Sequence, residues 1–256
     1  MRKFRWEVTA IMNASLTIDC EQDMPPFFES FMGMEEGLPK IIEILEKFDV
    51  KATFFVTAEV CEKFPDNVRE VAKKHEIACH GFRHEGINNL DSSSMKETIS
   101  KATNLIKELV GKRPTGFRVP RLRVNRTILQ ALRDLGYTYD SSISVWRPWQ
   151  EKYLIIAREL GIKELQIAID DTLLRVPFGL ELAKTQFFRD PLIILMHPWN
   201  AIGIKQLKPR ARLQPPSRIH VFWNSIGAGR KFLSNLRSLI STLQEKEVKF
   251  LRMMDL

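Results

Sequence analysis

His80 and His84 stand four residues apart in the segment HGFRH. The residues before them predict that His80 closes a strand and that the chain then turns, so both imidazoles face one point. Two histidines placed in this way supply two nitrogen ligands to zinc or a similar divalent ion. A carboxylate commonly completes three protein ligands while one position stays open for water. The upstream segment TIDCE holds such a carboxylate. Side chains on a strand alternate with period two, so Asp19 and Glu21 share one face and Cys20 takes the other. With Glu21 on the metal, Asp19 is a neighbouring carboxylate able to take a proton from water, which is the arrangement of a hydrolase. Asp23 is the alternative ligand, and the bland reading of HGFRH is a pair of surface histidines at a helix start. Cys20 and Cys79 point away from the candidate ligands beside them and read as core residues.

Seven runs rich in β-branched and aromatic residues must position these groups: ASLTID (14–19), ATFFVT (52–57), EIACH (76–80), TGFRVP (115–120), YTYDSSI (137–143), LQIAI (165–169) and LIILMH (192–197). VKFLRM near the end is an eighth candidate. Between them, Leu38, Ile41, Ile42, Leu45 and Phe48, and again Ile99, Ala102, Ile106, Leu109 and Val110, recur at spacings of three and four and give one apolar stripe per helix. Such alternation predicts a parallel sheet flanked by helices, and the pattern alone leaves open whether the sheet is doubly wound or closed into a barrel. Two long connections break the rhythm, at 20–37 with Pro25 and Pro26, and at 198–228 with Pro198, Pro209, Pro215 and Pro216. Connections of that length are often functional rims. No repeat, low-complexity tract or Gly/Ser linker marks a boundary, so one domain over 1–256 is expected, a length that suits an α/β barrel of about 250 residues.

Hydrophobic residues make up 44% and charged residues 27%, enough to bury a full core. No apolar run approaches the ~18 residues of a membrane-spanning helix, and the basic start MRKFRWEVTA lacks the apolar stretch of a secretory signal. Three cysteines without CxxC spacing fit a reducing compartment better than a disulfide framework. A cytoplasmic location is therefore expected, with the inner membrane face as one setting. The 39 basic and 31 acidic residues give a net charge of +8, but the signs alternate along helical stretches such as 63–74, which speaks for solvated faces and against a nucleic-acid partner. The sequence sets no oligomeric state.

Taken in order, TIDCE, HGFRH, RVP (118–120) and LMH (195–197) resemble the motifs of the polysaccharide deacetylases, the NodB-homology group of carbohydrate esterases. The stretch GLPKIIEILEKFDVKATFFVT also looks like that family's first helix and second strand, and the resemblance runs from about Ser15 to His197. It implies a distorted (β/α)7 barrel of the TIM-barrel type with parallel strands. It also implies Asp19 as general base, Glu21, His80 and His84 as metal ligands, Arg118 as the group that positions Asp19, and His197 as general acid. Independently, each of these residues falls at or just beyond the end of a predicted strand, the edge where parallel α/β barrels gather catalytic residues. This chain departs from the family pattern in placing Cys20 between the two acids and Arg121 after RVP. A backbone N–H near Arg121 can still serve as an oxyanion donor, because that role asks little of the side chain.

By that resemblance the reaction is hydrolysis of an N-acetyl or related N-acyl group on an amino sugar, with one divalent metal ion, zinc by its donor set. Asp140 in YDSSI sits at a strand end and could orient a catalytic group, although Asp-Ser-Ser is also an ordinary turn start. Trp146, Trp149, Trp199 and Trp223 fall where indoles could stack on sugar rings, with core packing as the plain alternative. His75 and His220 match no motif. The basic stretches at 121–126 and 205–218 follow the third and last motifs, and predict an anionic, phosphate-linked or lipid-linked acyl sugar as partner. Two competing readings are a deformylase of a formamido sugar and a catalytically inactive carbohydrate-binding barrel.

Overall fold

The computed structural model describes residues 12–84, 86–187, 189–203 and 218–256, with the side chains of 218–221 left aside. Among the described residues nine strands form one sheet in which every pair is parallel. They are β1 (Asn13–Cys20), β2 (Ala52–Val56), β3 (Glu76–Cys79), β4 (Gly116–Phe117), β5 (Tyr139–Asp140), β6 (Lys163–Glu164), β7 (Ile167–Ile169), β8 (Leu192–Met196) and β9 (Lys249–Phe250). The order is β6-β5-β4-β3-β2-β1-β8-β7, with β9 added to β1. Ser144, just beyond β5, makes a parallel bridge to Ile167 of β7, and this brings the two ends of the sheet toward each other. The distorted barrel expected from the resemblance is the fold observed.

Helices cover the outside, among them Leu38–Lys47 and Ser92–Val110, which bury the stripes expected of them. The longer one starts on Asp91, whose carboxylate accepts from the N–H groups of Ser93 and Ser94, and ends on Gly111 in the left-handed region at φ 74°. The fourth and fifth expected strands, TGFRVP and YTYDSSI, shrink to two residues each: Pro120 closes the first, and beyond Asp140 Ser141 Oγ donates to the Leu165 carbonyl while Ser142 Oγ accepts from the Val119 N–H. LQIAI contributes only Ile167–Ile169 as β7, and a separate short strand, β6, precedes it at Lys163–Glu164.

Alternation along each strand divides the core. Leu16, Ile18 and Cys20 of β1, Phe54 and Val56 of β2, and Ile194 and Met196 of β8 pack outward against the helices. Phe55, Ala78, Tyr139, Ile167, Ile193 and Leu195 form a smaller cluster inside the barrel, closed at one end by Met253. Thr17, Asp19 and Glu21 take the inward face of β1. The register does the rest. Cys20 pairs with Val56, Val56 with Cys79, Cys79 with Phe117 and Phe117 with Asp140. One residue further along each strand, Glu21, His80, Arg118 and Ser141 therefore occupy one inward layer at the C-terminal edge. Ile18 pairs with Met196, which brings His197 level with Asp19. No helix among the described residues is long and apolar enough to cross a membrane.

Candidate functional site

Glu21, His80 and His84 bring one potential ligand atom each to within 4.8 Å of one another. Glu21 Oε2 lies 3.3 Å from His80 Nε2 and 3.2 Å from His84 Nε2, and it is buried without a hydrogen-bond partner. His80 Nδ1 stands 2.7 Å from the Arg118 carbonyl oxygen, so this nitrogen carries the proton and donates it. In the neutral ring, Nε2 then turns a lone pair toward Glu21, with Asp19 Oδ2 3.6 Å away. Lone pairs converging on an orphaned buried carboxylate oxygen call for a cation between them, and the donated Nδ1 proton is the usual orientation of a metal-binding histidine. Burial outweighs the neighbouring Glu21 carboxylate and, with Arg121 and His197 nearby, holds His84 down at about 4 and leaves it neutral, as a ligand must be. The chain's donors thus fit a divalent ion.

Arg118 is fully buried and anchors the second group. Its Nε donates to the Ser141 carbonyl at 2.8 Å, Nη2 to Ser141 Oγ at 2.9 Å, and Nη1 to Thr17 Oγ1 at 2.9 Å and Asp19 Oδ1 at 2.6 Å. The guanidinium also lies 4.0 Å from the centre of the Phe55 ring. One Asp19 oxygen is thereby fixed, and the other faces His80 and His197. Burial alone would raise the Asp19 carboxyl; Arg118 first, then His80 and His197, outweigh it and leave Asp19 below the usual carboxylate range.

His197 follows β8 and receives the Asp171 carboxylate on its far side. Asp171 Oδ2 is 2.6 Å from His197 Nδ1, 3.1 Å from the His197 backbone nitrogen and 2.5 Å from Asn200 Nδ2. His197 Nε2 points back at the centre, 3.7 Å from Glu21 Oε1 and 3.9 Å from Asp19 Oδ2. Burial works against its charge, but Asp171 first, then Asp19 and Glu21, raise it to about 9, so the ring is protonated near pH 7. Trp199 stacks on it at 4.2 Å between ring centres. The turn carrying Trp199 is pressed against Gly37, where an added Cβ would lie 2.1 Å from the Pro198 carbonyl oxygen.

The sequence singled out seven residues that meet here: Asp19, Glu21, His80, His84, Arg118, Arg121 and His197. Arg121 has φ 60° and Leu122 has φ 56°, a left-handed pair that ordinary residues avoid and that tends to mark functional turns. The Arg121 charge reaches His84, and its carbonyl accepts from Arg147 Nη1 at 3.0 Å. Asp140 does not join the centre. Its Oδ1 accepts from Ser142 Oγ, which in turn accepts from the Val119 N–H, so it supports the RVP backbone from behind. Asp23 is drawn away from the ligand group by Ser30 Oγ and the N–H groups of Met32 and Gly33, and it shapes the 20–37 loop instead. Cys20, Cys61 and Cys79 are buried free thiols. His75 accepts from the Ala52 N–H and is structural. Trp146 and Trp149 are 41% and 68% exposed away from the ligand cluster, and Trp223 is 58% exposed. Of the basic stretches, Arg126 turns to Glu159, and residues 205–217 and the His220 side chain lie outside the described residues.

Sequence reading passed over Asp171. It stands in IDD, directly after the strand expected at 165–169, and the strand-end criterion that picked out Asp19 would have found it.

The sequence pattern of the polysaccharide deacetylase family matches residues 15–139. A peptidoglycan deacetylase-like protein of Gibberella zeae is 32% identical over 111 residues, covering 42% of this chain and 33% of its own. The peptidoglycan deacetylase of Helicobacter pylori is 28% identical over 110 residues, covering 43% and 38%. The chain thus spans well under half the length of these relatives. Among solved structures, a Mycobacterium smegmatis chain assigned as a polysaccharide deacetylase superposes with a TM-score of 0.69 at 19% identity, covering 98% of this chain and 90% of that one. A CE4 family pseudoenzyme from Bacillus anthracis gives 0.58 at 18% identity, covering 96% and 65%. Identities this low speak to the fold alone.

Proposed function

Because this chain belongs to the polysaccharide deacetylase family through residues 15–139, we propose that it is a metal-dependent hydrolase that removes an N-acetyl, or related N-acyl, group from an amino sugar. The observation that carries this reading is geometric: a carboxylate anchored on Arg118 and an imidazole anchored on Asp171 face each other across one cleft beside Glu21, His80 and His84. Asp19 is held as a carboxylate by Arg118, and His197 is held as a cation by Asp171, with their facing atoms 3.9 Å apart. Hydrolysis of an amide needs both a base and an acid.

A divalent ion on Glu21, His80 and His84, zinc by the softness and number of the donors, would supply positive charge that acidifies water and polarises the acyl carbonyl. Asp19 Oδ2 takes a proton from the attacking water, while Arg118 keeps Oδ1 still. The carbonyl oxygen gains negative charge as the C–O bond forms, and the backbone N–H of Arg121 is a suitable donor to it, a contact typically worth ~3 kcal/mol. His197 Nε2 gives its proton to the sugar nitrogen as the C–N bond breaks, and a free amine and a carboxylate leave. A formyl group would follow the same path. A carbohydrate-binding barrel without catalysis is disfavoured, because binding alone gives no reason to hold a base and an acid in opposite protonation states.

The test is Asp19→Asn. It should keep bound zinc near the wild-type level and cut acetate release from N-acetylated chito-oligosaccharides by roughly 100-fold or more. Wild-type rates in the variant would remove Asp19 from the chemistry and the reading with it.

A further inference from the structure

Arg175 is a buried cation that the deacetylation chemistry does not use. It ends the short helix Asp171–Arg175 and is 6% exposed. Its Nη1 donates to the carbonyls of Trp223 and Asn224 at 3.2 Å and of Ile226 at 3.3 Å. Gly227 makes this approach possible, since an added Cβ would lie 1.9 Å from the Arg175 carbonyl oxygen. Arg175 Nε is buried and has no partner. A guanidinium has five N–H donors, and three carbonyls on Nη1 leave Nε without an acceptor and Nη2 without a bond to any described residue. The nearby Asp171 carboxylate is engaged by His197 and Asn200.

Arg175 borders two hollows. One, of about 270 Å³, is the cleft over Glu21, His84 and His197. The other, of about 460 Å³, is walled by Val176, Pro177, Phe178, Leu180 and Ile226, with Lys231 and Glu181. Glu181 is paired with Lys184 at 2.7 Å, and the exposed Lys231 joins Arg175 as a second cation on that hollow. Phe178 stands 87% exposed at its rim with φ 59°. An aromatic ring held in water on a left-handed backbone has no packing role to explain it. From the reaction centre outward, the order is therefore acyl-transfer groups, buried cation, apolar wall.

We propose that the substrate is an acylated amino sugar joined through a phosphate to an apolar chain. The sugar lies at Asp19 and His197, the phosphate takes the free edge of Arg175 with Lys231 beside it, and the chain lies over Phe178, Leu180 and Ile226. Guanidinium forks suit phosphate oxygens, and a phosphate supplies the acceptors Arg175 lacks. The sugar end rests on the deacetylase reading; the phosphate and chain subsites do not.

Calorimetric titration of the full chain with farnesyl phosphate, farnesol and N-acetylglucosamine 1-phosphate separates the parts. Farnesyl phosphate should bind at least about tenfold tighter than either of the others, because only it fills both subsites. Arg175→Gln and the exposed Lys231→Glu should each weaken farnesyl phosphate several-fold and leave farnesol unchanged. Phe178→Ser should weaken farnesyl phosphate and farnesol alike. Lys231 and Phe178 are exposed, so these two variants report even if Arg175→Gln fails to fold. Farnesyl phosphate binding no tighter than farnesol would overturn the phosphate subsite, and binding no tighter than N-acetylglucosamine 1-phosphate would overturn the chain subsite. A phosphate seated on the metal ligands instead would bind Lys231→Glu as well as wild type, which also overturns the proposal. Acetate release plays no part in this readout, so failure of the deacetylase reading would show separately.

Discussion

Arg118 Nη1 lies 2.6 Å from Asp19 Oδ1 with both side chains closed off from solvent. The pair joins β1 to the end of β4 across the barrel interior, and it fixes both the position and the charge of the proposed base. Two charges removed from water are tolerated because Thr17 and Ser141 take three more of the guanidinium's five donors.

Arg118→Met should therefore do more than lower activity. It strands a buried carboxylate, a change that typically costs about 3–5 kcal/mol. The pH dependence should also change sign. In the wild type the Asp19 carboxyl is depressed, so its contribution to stability is present above the unfolded value and lost as pH falls through the folded one. Without Arg118 the burial effect dominates, the carboxyl rises, and stability falls as pH rises. Urea unfolding of chelator-treated protein between about pH 4 and about pH 8 reads both effects. Parallel curves for the two proteins would show that the pair does not set the charge of Asp19.

Asp171→Asn should lower the titration of His197 from about 9, because burial would then act with less opposition. A raised histidine contributes stability that is complete below its unfolded value and lost as pH rises through the folded one. The variant should lose that contribution and titrate its ring at lower pH. Ring-carbon NMR shifts of metal-free protein follow the titration directly. The alkaline limb of the acetate-release profile should move in the same direction, with the rate near pH 7 falling by roughly 100-fold or more. An unmoved ring titration would mean that Asp171 does not hold the proton on His197.

Glu164→Gln tests the support behind the centre. Asp140 is buried and Glu164 half-buried, each has one carboxyl oxygen without a hydrogen-bond partner, and both are raised, chiefly by loss of water, with Asp140 at about 6. Raised acids stabilise below their unfolded values, and that stability is lost as pH rises through the folded ones. Glutamine keeps an acceptor for the N–H groups of Ser142 and Ile143 and offers Asp140 a donor. The variant should gain on the order of 1–2 kcal/mol relative to wild type at about pH 8 and little at about pH 5. A loss at both would make the carboxyl pair a net support.

Much of this was legible in the sequence because strand alternation and parallel register are simple rules. Asp19 and Glu21 separate from Cys20 by period two alone, and the barrel layer then collects His80, Arg118 and His197 from strand ends. Burial within one shared layer, however, depends on which strands are neighbours, and no local pattern states that. Asp171 is legible as a strand-end acid, but its pairing with His197, 26 residues away across the β7–β8 pairing, is not. Asp140 was a strand-end acid too, yet its side chain turns to Ser142 and Glu164, away from the centre. The short strands β4 and β5 read as longer because their β-branched and aromatic composition hides the serine hydrogen bonds that interrupt them.

The central claim is that Glu21, His80 and His84 hold the ion on which acyl hydrolysis depends. The most direct measurement is zinc content together with acetate release from an N-acetylated chito-oligosaccharide, for wild type and His84→Ala, each stripped with chelator and then reloaded with zinc. The stripped wild type should be inactive and should regain activity as it takes up one ion per chain, whereas His84→Ala should neither retain zinc nor recover. Full activity in the stripped protein, or zinc retention and recovery in His84→Ala, would contradict the account.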